Sequence, residues 1–537
     1  MNLSNTMTNV KNMLYEILKV IILFSGVITF GILIWYIICI SKGFYHSDCT
    51  DTIFWAEAMI DGKTIMNPDY GYACLLPFGG NLLMFPFVGM FGVSMKAQLA
   101  GMVVFAIFFT ISLVYMCRTM GLNYKWCSLT VTSVLLVVSA SPKLREIFWE
   151  HIIYYSLGLL FLMLGLGLIF AIFNSEKLSI RHLVILFVWT TLCSTNGSQA
   201  LAIYCLPAMG AVFAERYFET KKPLFSKDNL KEGAIILVML VAVLTGLILA
   251  KFINNDIVAG YQTGHSYFDQ MSDWSNNFIS IIPEAFRLFG IAPLSDQEMY
   301  SLCGIFILLK IVFVLVIWFV PVIMLFMYRR FKEKSYKIMI LAHTILSTII
   351  IICWVFGKLN TACWRLSPIF ATGTILCIMF IRWLHSEKVV TRFVVVPSIF
   401  VSLCLLILSF DLIALYDENQ SEANRQLEAI GEFLESKDLE YGYGTFWNAG
   451  AITLMTDSEV KVRNITQSDS GQLYPRMYQS NSNWFKDNSY DKYFLILDES
   501  EYLLYQYNAT YIQPIEYYFI ENRHILVYDF NIMELTE

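Results

Sequence analysis

Residues 46–92 read HSDCTDTIFWAEAMIDGKTIMNPDYGYACLLPFGGNLLMFPFVGMFG, between an apolar run at 17–40 and another at 94–117. Each flanking run is near the ~20 residues needed to cross a bilayer. The stretch between them is therefore a loop at one membrane face. It opens with three carboxylates, Asp48, Asp51 and Glu57. An unpaired carboxylate beside hydrocarbon is costly, so such groups are paired, hydrated or functional.

The rest of the chain agrees with a membrane reading. Of 537 residues, 57% are hydrophobic and only 15% charged, against about a quarter charged in ordinary soluble chains. Apolar runs fall at 17–40, 94–117, 126–140, 154–173, 183–195, 198–214, 233–252, 305–328, 338–356, 368–384 and 393–415. So many runs exclude a cleaved signal peptide as the explanation of the first. The pair around Thr195-Asn196-Gly197-Ser198 is short on both sides and reads as two spans or one re-entrant element. The expected fold is a polytopic α-helical membrane protein of about eleven transmembrane helices over 1–415, with a small C-terminal extracytoplasmic α/β domain over 416–537.

Charge sets the orientation. With the N-terminus cytoplasmic, short inner segments such as YRRFKEK (328–334) collect 19 of the 29 Lys and Arg residues that precede 416, as the positive-inside rule requires. The outer segments are then 41–93, 141–153, 253–304, 357–367 and the tail, in a cell-membrane protein. The tail carries 8 Lys/Arg against 21 Asp/Glu and no cysteine. An acidic tail excludes nucleic acid as its partner. Its ENQSEANRQLEAIGEFLESK stretch (418–437) reads as a helix with Leu427, Ile430 and Leu434 on one face. EVKVRNI (459–465) and DKYFLIL (491–497) read as strands, and EYYFIENRHILVYDF (516–530) as a hairpin. Asn448 is placed to cap a short helix, NAGAITLM (448–455).

Several patterns bear on chemistry. Asp48 and Asp51 are three residues apart, so ionising both raises one pKa or draws a cation between them. Either outcome serves an enzyme, as a general base or as a metal-held anion site. The same D-x-x-D also reads as a capped helix over 49–61. In SPKLREIFWEHIIYYSLG (141–158), Glu146 and Glu150 share a helical face beside His151. They read as acceptor or metal contacts, or as an interfacial helix with an aromatic belt. His265, Asp269 and Asp273 in 253–304 are spaced i, i+4, i+8, as a metal set or as a solvated helical face. In GKLNTACWRLSP (357–368), Lys358 and Arg365 run against the positive-inside bias, which suits an anionic lipid phosphate or snorkelling to headgroups. Cys49 and Cys74 share one loop and can pair if it faces an oxidising space. No P-loop, G-x-G-x-x-G after a strand, H-E-x-x-H or G-x-S-x-G occurs. That disfavours an ATPase, a dehydrogenase or a zincin.

Taken together, the opening SDCTDTIFWAEAMIDG (47–62), the acidic second outer segment, the later basic one and the tail resemble the GT-C superfamily of membrane glycosyltransferases. YGYGTFWNAGAITLM (441–455) resembles tails of bacterial members. The resemblance implies a polyprenyl-phosphate- or pyrophosphate-linked sugar donor, transfer with inversion to a cell-surface glycan, lipid or protein acceptor, and a first-loop carboxylate as base. That role falls on Asp48, with Asp51 as its neighbour and replacement. Lys358 and Arg365 match the region that holds donor phosphate. Glu146, Glu150 and His151 match a second acidic region by topology. Metal use varies in the superfamily, so a divalent cation, Mg2+ or Mn2+, stays open. Membrane lipids are the remaining partners. Tail aromatics such as Tyr441, Tyr443 and Trp447 are available to stack on a glycan, or else to form core.

Two rivals stand beside this reading. A surface-polysaccharide polymerase or ligase should carry Arg and His in a large late outer loop, where 253–304 offers only Arg287 and His265. A lipid or polymer transporter should show paired broken helices, and only the Gly197 break is evident.

Overall fold

A computed structural model describes residues 3–153, 155–219, 229–258, 260, 267–291, 298–387, 408, 422–486 and 489–536. Among the described residues, seven helices are long and apolar enough to cross a membrane: Lys19–Phe44, Met95–Thr119, Tyr155–Asn174, Leu230–Ile253, Leu302–Phe326, Lys334–Val355 and Cys363–Ser386. The protein is a multi-span membrane protein.

Of the eleven expected spans, the last, 393–415, lies outside the described residues apart from Leu408. The expected span at 126–140 is a shorter helix, Tyr124–Val137. The chain then bends by 111° into Pro142–Glu150. Ser141 caps the turned piece, its Oγ accepting from the Leu144 N–H (3.1 Å), and Pro142 supplies a pre-set first turn. The 183–214 region is two helical arms, Ile180–Ser194 and Ser198–Glu219, meeting at Gly197 with φ +63°. Thr190 and Tyr204 join the arms by a hydroxyl–hydroxyl bond of 2.7 Å.

The tail forms a six-stranded sheet. Naming β1 as Tyr70–Gly71 of the first loop, the tail strands are β2 (Tyr441–Thr445), β3 (Lys461–Gln467), β4 (Leu473–Pro475), β5 (Ser480–Asn481), β6 (Tyr493–Asp498), β7 (Glu516–Ile520) and β8 (Arg523–Tyr528). The sheet order is β4-β3-β2-β6-β8-β7, parallel within β3-β2-β6 and antiparallel at both edges. Alternation along β6 sends Phe494 and Ile496 to one face and Tyr493, Leu495 and Leu497 to the other, where two separate cores form. The expected helix, Glu422–Ser436, lays Leu427, Ile430 and Leu434 into the first core. The hairpin turns on Glu521 and Asn522, both at positive φ, as a two-residue loop demands. The short helix Gly450–Met455 exists without the expected cap. The Asn448 side chain instead bonds Thr445 and Arg523.

This sheet is fastened to the first loop. β5 pairs antiparallel with β1, setting Tyr70 opposite Asn481 and Gly71 opposite Ser480. A Cβ on Gly71 would stand 1.9 Å from the Met477 carbonyl oxygen. Only glycine permits that approach. The Ser47 hydroxyl donates to the Phe446 carbonyl, and Asn424 Nδ2 to the Tyr45 carbonyl (2.6 Å). On the far side of the loop, Met95 N–H donates to Asp457 Oδ1 (2.8 Å).

Candidate functional site

The first loop leaves its membrane helix through a π turn, Tyr36–Ile40, and a tight turn over Ser47–Thr50, then enters the helix Asp51–Gly62. Asp51 is therefore the first residue of that helix. The Asp48 side chain caps nothing, so the expected capped helix over 49–61 starts two residues late and without the cap. Asp48 is half-buried, whereas Asp51 is 5% exposed. Burial pushes the Asp51 carboxyl above the ordinary carboxylate range; contact with His151 and Gln479 offsets part of this, and the neighbouring Asp48 charge adds to it.

One side chain bonds Asp51 and a second lies close to it. Gln479 Nε2 donates to its Oδ1 (2.6 Å), and His151 Nε2 lies 3.6 Å from its Oδ2. Asp48 and Asp51 both face the Arg476 guanidinium electrostatically. Two of these neighbours sit in or beside strained backbone. Gln479 has φ +56°, and Ile152, next to His151, has φ +46°. Non-glycine residues, and β-branched ones above all, persist there only where their surroundings over-determine them. Glu57, the third carboxylate of the loop, faces Arg463 and Asp61 rather than Asp51.

The remaining predicted residues sort into separate places. Glu146 is paired with His46 (3.5 Å) and Lys143. Glu150 accepts from the Tyr36 hydroxyl (2.6 Å), a contact made where the π turn at Tyr36–Ile40 meets a second at Glu146–Glu150. Gln98 Nε2 ties the Glu150 carbonyl to that of Cys49. Both glutamates are thus satisfied by neighbours, and of 141–153 it is His151 that reaches the first-loop aspartate. Arg365 is buried, donates to the Lys358 carbonyl (2.7 Å) and stacks over Trp364 (5.2 Å). Lys358 is exposed. Trp364 meets Tyr155 edge-to-face at 5.5 Å. His151 and Tyr155 are one helical turn apart in sequence, so a single short segment touches both the carboxylate and the basic corner.

Other expectations are corrected. Asp269 is outside the helix Trp274–Leu288 and accepts from Asn277 and Asn360, so the i, i+4, i+8 face does not form; His265 lies outside the described residues. Arg287 bonds Glu284 (2.9 Å). Cys49 is a free thiol, so no disulfide joins it to Cys74. Tyr441 and Tyr443 are core, donating to the Trp484 carbonyl and Asn531. Trp447, by contrast, is 59% exposed and 5.8 Å from the His46 ring. Among the described residues no three His, Cys, Asp or Glu side chains are grouped to hold a metal ion. A hollow of about 770 Å3 opens at the opposite end of the bundle, lined by Met120, Phe173, Lys231 and Lys334 among others, and holds none of the predicted site residues.

No family model and no curated protein matches the chain. Solved structures do. The crystal structure of ArnT from Cupriavidus metallidurans bound to undecaprenyl phosphate superposes with a TM-score of 0.54 at 12% identity, over 96% of this chain and 98% of that one. The fold is that of ArnT. Its apo crystal structure gives a TM-score of 0.50 at 13% identity, over 91% and 94%. The likeness runs through bundle and tail together, as the GT-C resemblance in the sequence led one to expect. Arg476 and Gln479 had no motif to announce them. The only available signal was two polar side chains in a strand-linking loop, YPRMYQSN (474–481).

Proposed function

We propose that the chain is an integral membrane glycosyltransferase that moves a sugar from a polyprenyl-phosphate-linked donor to an acceptor hydroxyl at the membrane face carrying the C-terminal sheet. The observation that carries this is Asp51: a buried first-loop carboxylate bonded by Gln479, with raised proton affinity, in the fold of a protein crystallised with undecaprenyl phosphate. The base is thereby Asp51, with Asp48 as its half-buried neighbour.

The chemistry balances with groups this chain owns. Asp51 takes the proton from the acceptor hydroxyl as that oxygen attacks the anomeric carbon. The carbon–phosphate-oxygen bond breaks, and the phosphate leaves with the electron pair from the opposite side, inverting the centre. Arg365 and Lys358 supply positive charge for the departing phosphate. A site of low dielectric strengthens both terms. Trp447 offers an exposed ring beside His46 for the apolar face of an acceptor sugar. By charge asymmetry this face is extracytoplasmic, and the acceptor is a surface glycan, lipid or protein.

Purified protein in lipid vesicles with a polyprenyl-phosphate sugar tests the reading. Asp51→Asn is expected to stay folded and lose transfer by about 100-fold or more. Full transfer by a folded Asp51→Asn protein overturns it.

A further inference from the structure

Gln479 is not on the membrane bundle, yet it bonds the carboxylate at the centre of the site. We propose that Arg476 and Gln479, on the loop joining β4 to β5, are positioning residues: Arg476 sets the orientation of the Gln479 amide, and that amide sets the orientation of Asp51. This rests on Asp51 as the base.

The reasoning is one of hydrogen-bond polarity. A glutamine amide has two faces that differ only in which atom donates, and its flip is decided by its partners. A guanidinium only donates. Arg476 Nη2 lies 3.1 Å from Gln479 Oε1, so the oxygen must face the arginine. The Nε2 end is then obliged to donate to Asp51 Oδ1. The arginine is itself held, with its guanidinium 4.1 Å over the Phe446 ring and 4.8 Å over that of Tyr478. The Gln479 backbone is held as well. Its N–H donates to the Gly71 carbonyl (2.6 Å), and its carbonyl accepts from Asn464 Nδ2 (3.1 Å).

The consequence falls on the other carboxylate oxygen. Oδ1 is engaged by the amide, while Oδ2 stands 3.6 Å from His151 Nε2 and has capacity to accept a hydroxyl proton. A carboxylate free to rotate would present either oxygen, whereas the Gln479 amide, on backbone held at φ +56°, engages this one. The titratable and charged groups facing Asp51 are Asp48 on the preceding turn, His151 on the second outer segment, Tyr70 on β1, and Arg476 from the sheet.

The test is Gln479→Glu in the full chain, reconstituted with a polyprenyl-phosphate sugar. A donor is replaced by a like charge, so Asp51 holds its proton more tightly. The expected result is a kcat lower by about tenfold or more at neutral pH, with the acidic limb of its pH profile moved upward. Donor KM should stay within about twofold. An unchanged kcat profile in folded protein overturns the proposal. If Gln479→Glu does not fold, Arg476→Lys replaces it: the charge stays and the fixed fork is lost, so a smaller kcat loss in the same direction supports the proposal and none overturns it. Infrared titration of carboxyl bands in 13C-aspartate-labelled protein, differenced against Asp51→Asn, reads the same shift without substrate. A shift with no transfer by the unaltered protein sinks the transferase reading and leaves the positioning role standing. No shift in an active protein sinks the positioning role alone.

Discussion

At the scale of single residues, environment sets the carboxylates apart. Glu146 lies against Lys143 and His46, and Glu150 accepts from a phenol, so each has a partner within the chain. Asp51 accepts from a neutral amide, lies 3.6 Å from a histidine nitrogen and is 5% exposed. Its raised proton affinity has a definite sign: as the proposed base it works only when ionised, so transfer should fall as pH drops through a value above the ordinary carboxylate range. A pH–rate profile whose acidic limb sits at an unperturbed carboxylate value would contradict this. Trp447 makes the second residue-scale prediction. Trp447→Ala should raise the acceptor KM by about tenfold, equivalent to ~1.4 kcal/mol, with donor KM unchanged. Initial rates over a matrix of both substrates measure the two separately.

At the scale of elements, the site depends on irregular pieces of backbone. Two π turns bring Tyr36 to Glu150, and a sharp bend leads into Pro142–Glu150. Such turns insert a residue into a helix and swing the following side chains out of register. The two-residue pairing of β1 with β5 is as short as a sheet can be, yet it delivers Gln479 to Asp51. Gly71→Ala tests that delivery. The added methyl cannot coexist with the Met477 carbonyl, so the loops must part at a cost of about 1–3 kcal/mol. A lower thermal midpoint together with a lower kcat is expected; an unaltered kcat would mean that this pairing does not set the base.

At the scale of the whole molecule, bundle and tail share one working surface. The first loop threads between them, bonded to the sheet at Ser47, Gly71 and Asp69, and to the bundle through Gln98. The orientation drawn from charge can be checked directly. In whole cells, a membrane-impermeant maleimide should label Ser470→Cys on an exposed tail loop and spare Glu176→Cys at the other end of the bundle. Labelling of Glu176→Cys alone would invert the topology. The contrast holds in a background where the native cysteines have been replaced.

From the sequence by itself came the class of fold, most spans, the tail's helix Glu422–Ser436 and its strands, and Asp51 as one of two first-loop candidates. These follow from periodicity, run length and net charge, which are local and additive along the chain. The tertiary structure alone showed Asp51 more deeply buried than Asp48, gave Glu146 and Glu150 partners of their own, and brought Gln479 to Asp51 and Arg476 to Gln479. Most of those outcomes depend on which side chain meets which across a hundred residues or more. A one-dimensional pattern cannot record that, because hydrogen-bond direction and burial exist only once distant segments touch.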